Sequence, residues 1–156
     1  MKIAKVSLLF IFTVLSTNTF GARAETVIRE VTIQPEEIKR SSVFNWGNHA
    51  YSYHGPIVKR SRPDSHDNRK ASKLRLFENG RPLGPPHSTS HIIKTKGSGA
   101  YKHWYGGGDR RYAPPYLIFT TSDNSDPRIN GRVYTIKAPV KVYRLKLPKI
   151  LKRIEP

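Results

Sequence analysis

Lys73-Leu74-Arg75-Leu76-Phe77-Glu78-Asn79-Gly80 is the stretch that decides the fold class. Leu74 and Leu76 fall on one side of an extended chain and Phe77 on the other. The run ends in Asn-Gly, the pair best suited to a two-residue hairpin, whose central positions both require positive φ. A strand that turns straight back on itself belongs to an antiparallel sheet.

The same pattern extends outward. Upstream, Thr26–Ile33 places Val27, Val31 and Ile33 on one side of a first strand. Phe44, Trp46, Tyr51 and Tyr53 are interrupted by the breaks Gly47-Asn48 and Gly55-Pro56, the signature of short strands. Residues 61–72 are almost wholly polar and charged and read as a mobile surface loop. Downstream, Gly84-Pro85-Pro86 opposes both helix and ladder pairing, His91–Lys94 reads as a short strand, and Tyr101–Tyr116 as a loop rich in aromatics and glycine. Tyr116–Thr121 is the best core strand, and strands are expected over Arg132–Ile136 and Val140–Leu147. No helical periodicity persists. The expected fold is all-β: a single jelly-roll-like β-sandwich over residues 25–156, closed by pairing of its first and last strands.

Residues 1–24 have the three parts of an export signal: Lys2 and Lys5, the apolar run Val6–Leu15, and Ala22-Arg23-Ala24 as a small-x-small cleavage pattern. The apolar run is about half the length that a membrane-spanning helix needs. Cleavage after Ala24 leaves 132 residues, enough for one domain. It removes three basic and no acidic residues, so the formal charge falls from +17 to +14. The chain has no cysteine, which excludes disulfides, thiolate metal sites and a lipid-modified cysteine. The expected location is periplasmic or secreted. There, a charge this large attracts surface glycans and other envelope polyanions rather than nucleic acid. No transmembrane segment is expected in the mature chain, though peripheral contact with the envelope is compatible with its charge.

Ser122–Tyr134 is the most distinctive polar segment. Asp123, Asn124 and Asp126 supply acceptors, and Arg128 and Arg132 supply fixed donors, the mixture that sugar hydroxyls need. Two successive turns would require much the same residues. Oxygen atoms of Asp123, Asp126 and Asn130 would suit calcium, but the twelve-residue spacing and distal glutamate of the common calcium loop are missing, and no cofactor is assigned. His87, His91 and His103 form a second set of candidates. A zinc site would need a helix to bring His87 and His91 together, and Pro85-Pro86 opposes one. Trp104 is a candidate stacking platform for a sugar ring. Trp46, Tyr101, Tyr105, Tyr112 and Tyr116 complete the aromatic set, about half of it expected in the core. No catalytic residue is assigned, and no nucleophile-elbow motif accompanies Ser88.

Three blocks together, Leu74–Ser88, Gly97–Trp104 and Ser122–Arg132 with Tyr134, resemble a small accessory module of bacterial proteins that synthesise or modify surface polysaccharide. The resemblance covers roughly residues 73–136. It implies that Asn79, His87, Ser88, His103, Trp104, Asp123, Asn124, Asp126, Arg128, Asn130 and Arg132 share one neighbourhood. This chain departs from the module by the insertion Tyr105–Pro115 and by the lack of an attached catalytic domain. The resulting expectation is an exported, non-catalytic protein that binds a glycan or polyanion. The alternatives are a polysaccharide-acting enzyme pairing His87, His91 or His103 with Asp123 or Asp126, and a structural or adhesion protein of the envelope.

Overall fold

A computed structural model describes residues 22–41, 49–105 and 114–145, with side chains over 24–143 of these. Ala24–Tyr143 form one compact unit. Residues 1–21 of the expected leader, together with Phe44, Trp46 and Tyr112, lie outside the described residues. Among the described residues no helix is long and apolar enough to cross a membrane.

Among the described residues eight strands dominate: β1 (Ala22–Ile33), β2 (Lys39–Arg40), β3 (Tyr51–Tyr53), β4 (Arg75–Glu78), β5 (Arg81–Pro82), β6 (Tyr101–Trp104), β7 (Tyr116–Phe119) and β8 (Tyr134–Leu145). They form two four-stranded sheets, ordered β1-β8-β4-β5 and β2-β3-β7-β6, with antiparallel pairing. The all-β expectation therefore holds, and the first strand lies beside the last. The Asn79-Gly80 turn has the positive φ values its residues suggested, 48° and 77°, and returns β4 into β5 with Glu78 opposite Arg81.

Tyr51, Tyr53, Tyr101, Leu117 and Phe119 of the second sheet share one core with Leu76, Tyr134 and Ile136 of the first. Helix α1 (Pro56–Arg60) adds Ile57 and Val58 to it. Leu76 is fully buried, so truncating it to alanine should cost about 2–5 kcal/mol. The opposite face of β7 turns Ile118 towards a smaller cluster with Ala50, Ile93 and Ala100. Strand alternation creates that division, because successive side chains point to opposite faces.

Several expectations are corrected. His91–Lys94 is not a strand but part of helix α2 (Ser90–Thr95), started by Thr89, whose side chain accepts a hydrogen bond from the Ile92 N–H. Gly97 closes the helix end at φ 64°, where a Cβ would overlap the Asn124 Oδ1. Residues 101–104 are strand rather than loop. The two strands expected near the C-terminus are one, β8. Pro139 lies beyond the last residue paired with β4, Lys137 opposite Arg75, so it breaks no hydrogen bond on that side. Within 61–72, residues 66–70 are exposed, but Ser61, Asp64 and Ser72 are buried.

Candidate ligand-binding cleft

Strand β6 is the outer strand of its sheet, with β7 on one side only. Its other edge carries backbone groups that need partners. Two loops provide them. The Tyr101 N–H donates to the Pro85 carbonyl, and the Tyr101 carbonyl accepts from the Ser88 N–H at 3.0 Å. Further along, the Asp64 N–H donates to the His103 carbonyl at 2.9 Å, and the Asp64 carbonyl accepts from Tyr105 at 3.0 Å. Both loops are thereby fixed against one edge, and between them their side chains meet: His87 Nδ1 stands 2.8 Å from Asp64 Oδ2.

Asp64 is 1% exposed, and its second oxygen accepts the Ser72 N–H at 2.8 Å. A buried carboxylate with both oxygens engaged is a fixed anchor. It orients His87, whose backbone occupies the left-handed region at φ 58°, a strained conformation for a residue with a Cβ. The ring is 17% exposed. With Nδ1 directed to Asp64, Nε2 is the nitrogen left for other chemistry.

Alternation along β6 sends Tyr101 and His103 inward, and Lys102 and Trp104 to the other face. His103 is 1% exposed, with Nδ1 2.8 Å from the Ser72 hydroxyl and Nε2 2.9 Å from the Val58 carbonyl. Burial pushes its pKa down to about 4, against the opposing effects of the Val58 carbonyl and Asp64. A ring so enclosed is a structural strut, and it takes no part in a surface site. Lys102 Nζ donates to the Ser90 hydroxyl on α2 at 3.0 Å and lies 4.7 Å from the centre of the Trp104 ring. Burial lowers the pKa of this ammonium, while the Asp64 charge works against the shift. His66 meets Trp104 edge-on with ring centres 5.2 Å apart.

These groups line a cleft of about 230 Å³, bounded by Asp64, His66, Arg69, His87, Ser88, Thr89, Ser90, Lys102 and Trp104. Lys102 and Arg69 supply positive charge, His66 and His87 imidazoles, and Thr89 and Ser90 hydroxyls. Among the described residues Asp64 is the only carboxylate lining it, and it is committed to His87 and Ser72. Ser88 is held by its hydroxyl hydrogen bond to the Pro85 carbonyl at 2.7 Å, so it is not poised as a nucleophile. The cleft suits a ligand that combines an apolar ring face with an acidic or multiply hydroxylated group.

The residues expected at Ser122–Arg132 lie elsewhere and largely satisfy one another. Asp123 is paired with Arg132 through both guanidinium branches, the Nη1 contact at 2.9 Å, and also accepts from the Ser125 N–H and hydroxyl. Asp126 accepts from the Arg128 N–H and from its guanidinium. Asn124 fastens the turn to the end of α2, accepting from the Ser98 N–H at 2.7 Å and donating to the Lys96 carbonyl. Asn130 accepts from the Arg132 N–H and donates to the Tyr134 hydroxyl at 2.8 Å.

Beneath these turns Glu78 is buried. It accepts from the Ser122 hydroxyl, from the Tyr134 hydroxyl at 2.9 Å, and pairs with Arg132 at 3.2 Å. Burial alone would raise the Glu78 carboxyl, but these donors outweigh it and hold it below the usual range. The Arg132 hydrogen bonds depress Asp123 strongly, and those of Arg128 hold Asp126 at about 2.

Of the expected residues, Trp104, His87 and Ser88 enter the cleft. His103 stands behind it in the core, His91 is exposed on α2 outside the lining, and Asp123, Asn124, Asp126, Arg128 and Arg132 form the turns. The neighbourhood implied by the resemblance therefore divides in two. The register explains why: Trp104 pairs with Tyr116 at the start of β7, whereas the turns follow Phe119 at its end, opposite Tyr101. The histidine–aspartate pair expected with Asp123 or Asp126 forms with Asp64 instead. Among the described residues no group of three His, Asp or Glu side chains is placed to hold a metal ion. Sequence reasoning missed Asp64, His66, Arg69, Thr89, Ser90 and Lys102. The single local signal was an aspartate directly after Pro63 in a loop otherwise suited to solvent. No protein-family model, curated protein or solved structure matches the chain.

Proposed function

We propose that this chain is an exported protein of the bacterial cell envelope that binds an acid-bearing glycan or a related polyanion without catalysis, and that the Asp64–Trp104 cleft holds the ligand. In this reading residues 1–24 are a cleaved leader, and the two sheets are the layers of one jelly-roll-like sandwich. One observation carries it: Trp104 shares a concave site with Lys102, Arg69, His66 and an anchored His87, while the only carboxylate among the described lining residues is held in internal bonds. An indole ring offers stacking area to the C–H face of a pyranose, and the cations pair with a uronate, sulfate or phosphate on the same sugar. The Ser122–Arg132 turns serve the fold, because their donors and acceptors are already matched. A glycan array probed with the purified protein at two salt concentrations tests the proposal. Binding should favour acidic over neutral glycans, weaken at the higher salt and disappear in Trp104→Ala. Binding retained by Trp104→Ala and lost in Arg128→Ala/Arg132→Ala would return the site to the turns.

The 2.8 Å Asp64–His87 contact favours one further reading, an acid–base enzyme in which Asp64 orients His87 as a general base. New reducing ends released from a bound acidic oligosaccharide, and lost in His87→Ala, would establish it. An unchanged oligosaccharide would leave the site a binding site.

A further inference from the structure

A second concavity of about 1130 Å³ is bounded by the end of α1, the two ends of the 61–72 loop and the strands β1 and β8. Arg60, Arg62, Lys73 and Lys141 line it, and none of its described lining residues is a carboxylate. All four cations are exposed, and no ion pair or side-chain hydrogen bond to another described residue holds them. Elsewhere the chain does pair its surface charges: Lys137 with Glu30 on the neighbouring strands, Arg128 with Asp126, Arg132 with Asp123 and Glu78. Four like charges converging on one groove repel each other, and that repulsion is relieved when an anion enters. Tyr143, 70% exposed, adds an aromatic face to the same lining.

We infer that this groove is a second anion-binding surface, separate from the Trp104 cleft, and that it takes an extended acidic polysaccharide chain. Several features favour that occupant. The groove has several times the volume of the cleft, which suits a run of sugars rather than one. Its cations come from three separate segments, so they meet a ligand bearing charges at intervals. Tyr143 supplies a large aromatic surface among the described lining residues, suited to a sugar face, where a lipid surface would call for a cluster of apolar side chains. One consequence is bivalency: a chain occupied at both places would tie two polymer segments together.

Long-chain polygalacturonate is the probe, titrated into the full chain at about 50 and 200 mM salt, where screening separates charge-driven from apolar contacts. The test compares Arg62→Ala/Lys141→Ala with the parent in both the natural and the Trp104→Ala background, so that failure of the cleft proposal leaves this measurement intact. The double variant should weaken polymer binding about tenfold at the lower salt in both backgrounds and flatten the salt dependence. Should it fold poorly by thermal melting, the single variants Arg62→Ala and Lys141→Ala replace it, each weakening binding about threefold. Unchanged affinity in these variants would overturn the inference. So would displacement of the polymer by oligo-dT or by phosphatidylglycerol vesicles at lower concentration than by unlabelled polygalacturonate.

Discussion

The Ser122–Arg132 turns and the Asp64–Trp104 cleft draw on the same kinds of residue, acids, arginine or lysine, histidine or asparagine, and a large ring, yet they use them in opposite ways. In the turns each acid is paired with a cation of the same segment, Asp126 with Arg128 two residues on and Asp123 with Arg132 nine residues on, so the charges cancel locally. In the cleft the acid is Asp64, buried and spent on His87 and Ser72, while Lys102 and Arg69 share the lining with Trp104. Polar richness in a sequence therefore marks neither place as a site. What distinguishes them is how the acids are used: in the turns they pair with arginines, whereas Asp64 in the cleft is bonded to His87 and the Ser72 N–H.

The two regions should separate on acid titration, and the largest effect belongs to the wall behind the cleft. His103 titrates near 6.5 in the unfolded chain and near 4 when buried, so the unfolded state binds its proton first. The stability it allows is complete above about pH 6.5, is lost as the pH falls towards about 4, and totals about 3 kcal/mol. Urea denaturation followed across that range should show the slope, and His103→Gln should flatten it. A slope unchanged in the variant would mean that the histidine is not neutral in the fold.

The turns respond in a lower window. Glu78, Asp123 and Asp126 are depressed below their ordinary carboxyl values, so their contribution is present above about pH 4 and lost below it as they protonate. Two separated acid phases are expected, the first removed by His103→Gln and the second reduced by Glu78→Gln. One merged phase would contradict the division.

Asp64→Ala gives the next effect. It leaves the Ser72 N–H and His87 Nδ1 without their buried acceptor, and should cost about 1–3 kcal/mol in thermal or urea denaturation. It should also release His87 from its left-handed backbone, seen as a change in that residue's amide signal. Asp64→Asn retains an acceptor for Ser72 and should lose less.

Asp123→Asn sits at the small end. The pair it breaks lies at the surface, with Asp123 about half exposed, so stability near neutral pH should change little, with only the lower acid phase shifted. A marked loss of glycan binding in this variant, with the fold intact, would reverse the assignment of the two regions.

Much of the architecture was legible in short stretches. Asn79-Gly80 announced its hairpin because two positive φ values are a local demand that few residues meet. The alternation of Thr26–Ile33 and the apolar run at Tyr116 marked β1 and β7 for the same local reason. The helix at Ser90–Thr95 was harder, since six residues carry less than two turns of periodicity and the deciding feature is the Thr89 cap. The cleft was the least legible. Asp64 is buried because the free edge of β6 needs partners, and its bond to His87 spans 23 residues of sequence. Nothing near Pro63 encodes that edge. The turns, by contrast, looked like a site because turn-forming side chains and sugar-binding side chains are the same ones.

The central claim, that ligand enters beside Trp104 and not at the turns, is tested most directly by an NMR titration of the ¹⁵N-labelled protein with trigalacturonate. Saturable shifts of the Trp104 indole N–H, the His87 ring and the Lys102 amide, with the Arg128 and Arg132 guanidinium signals unmoved, are the predicted result. Shifts centred on Arg128 and Arg132 that leave Trp104 unperturbed would contradict the account.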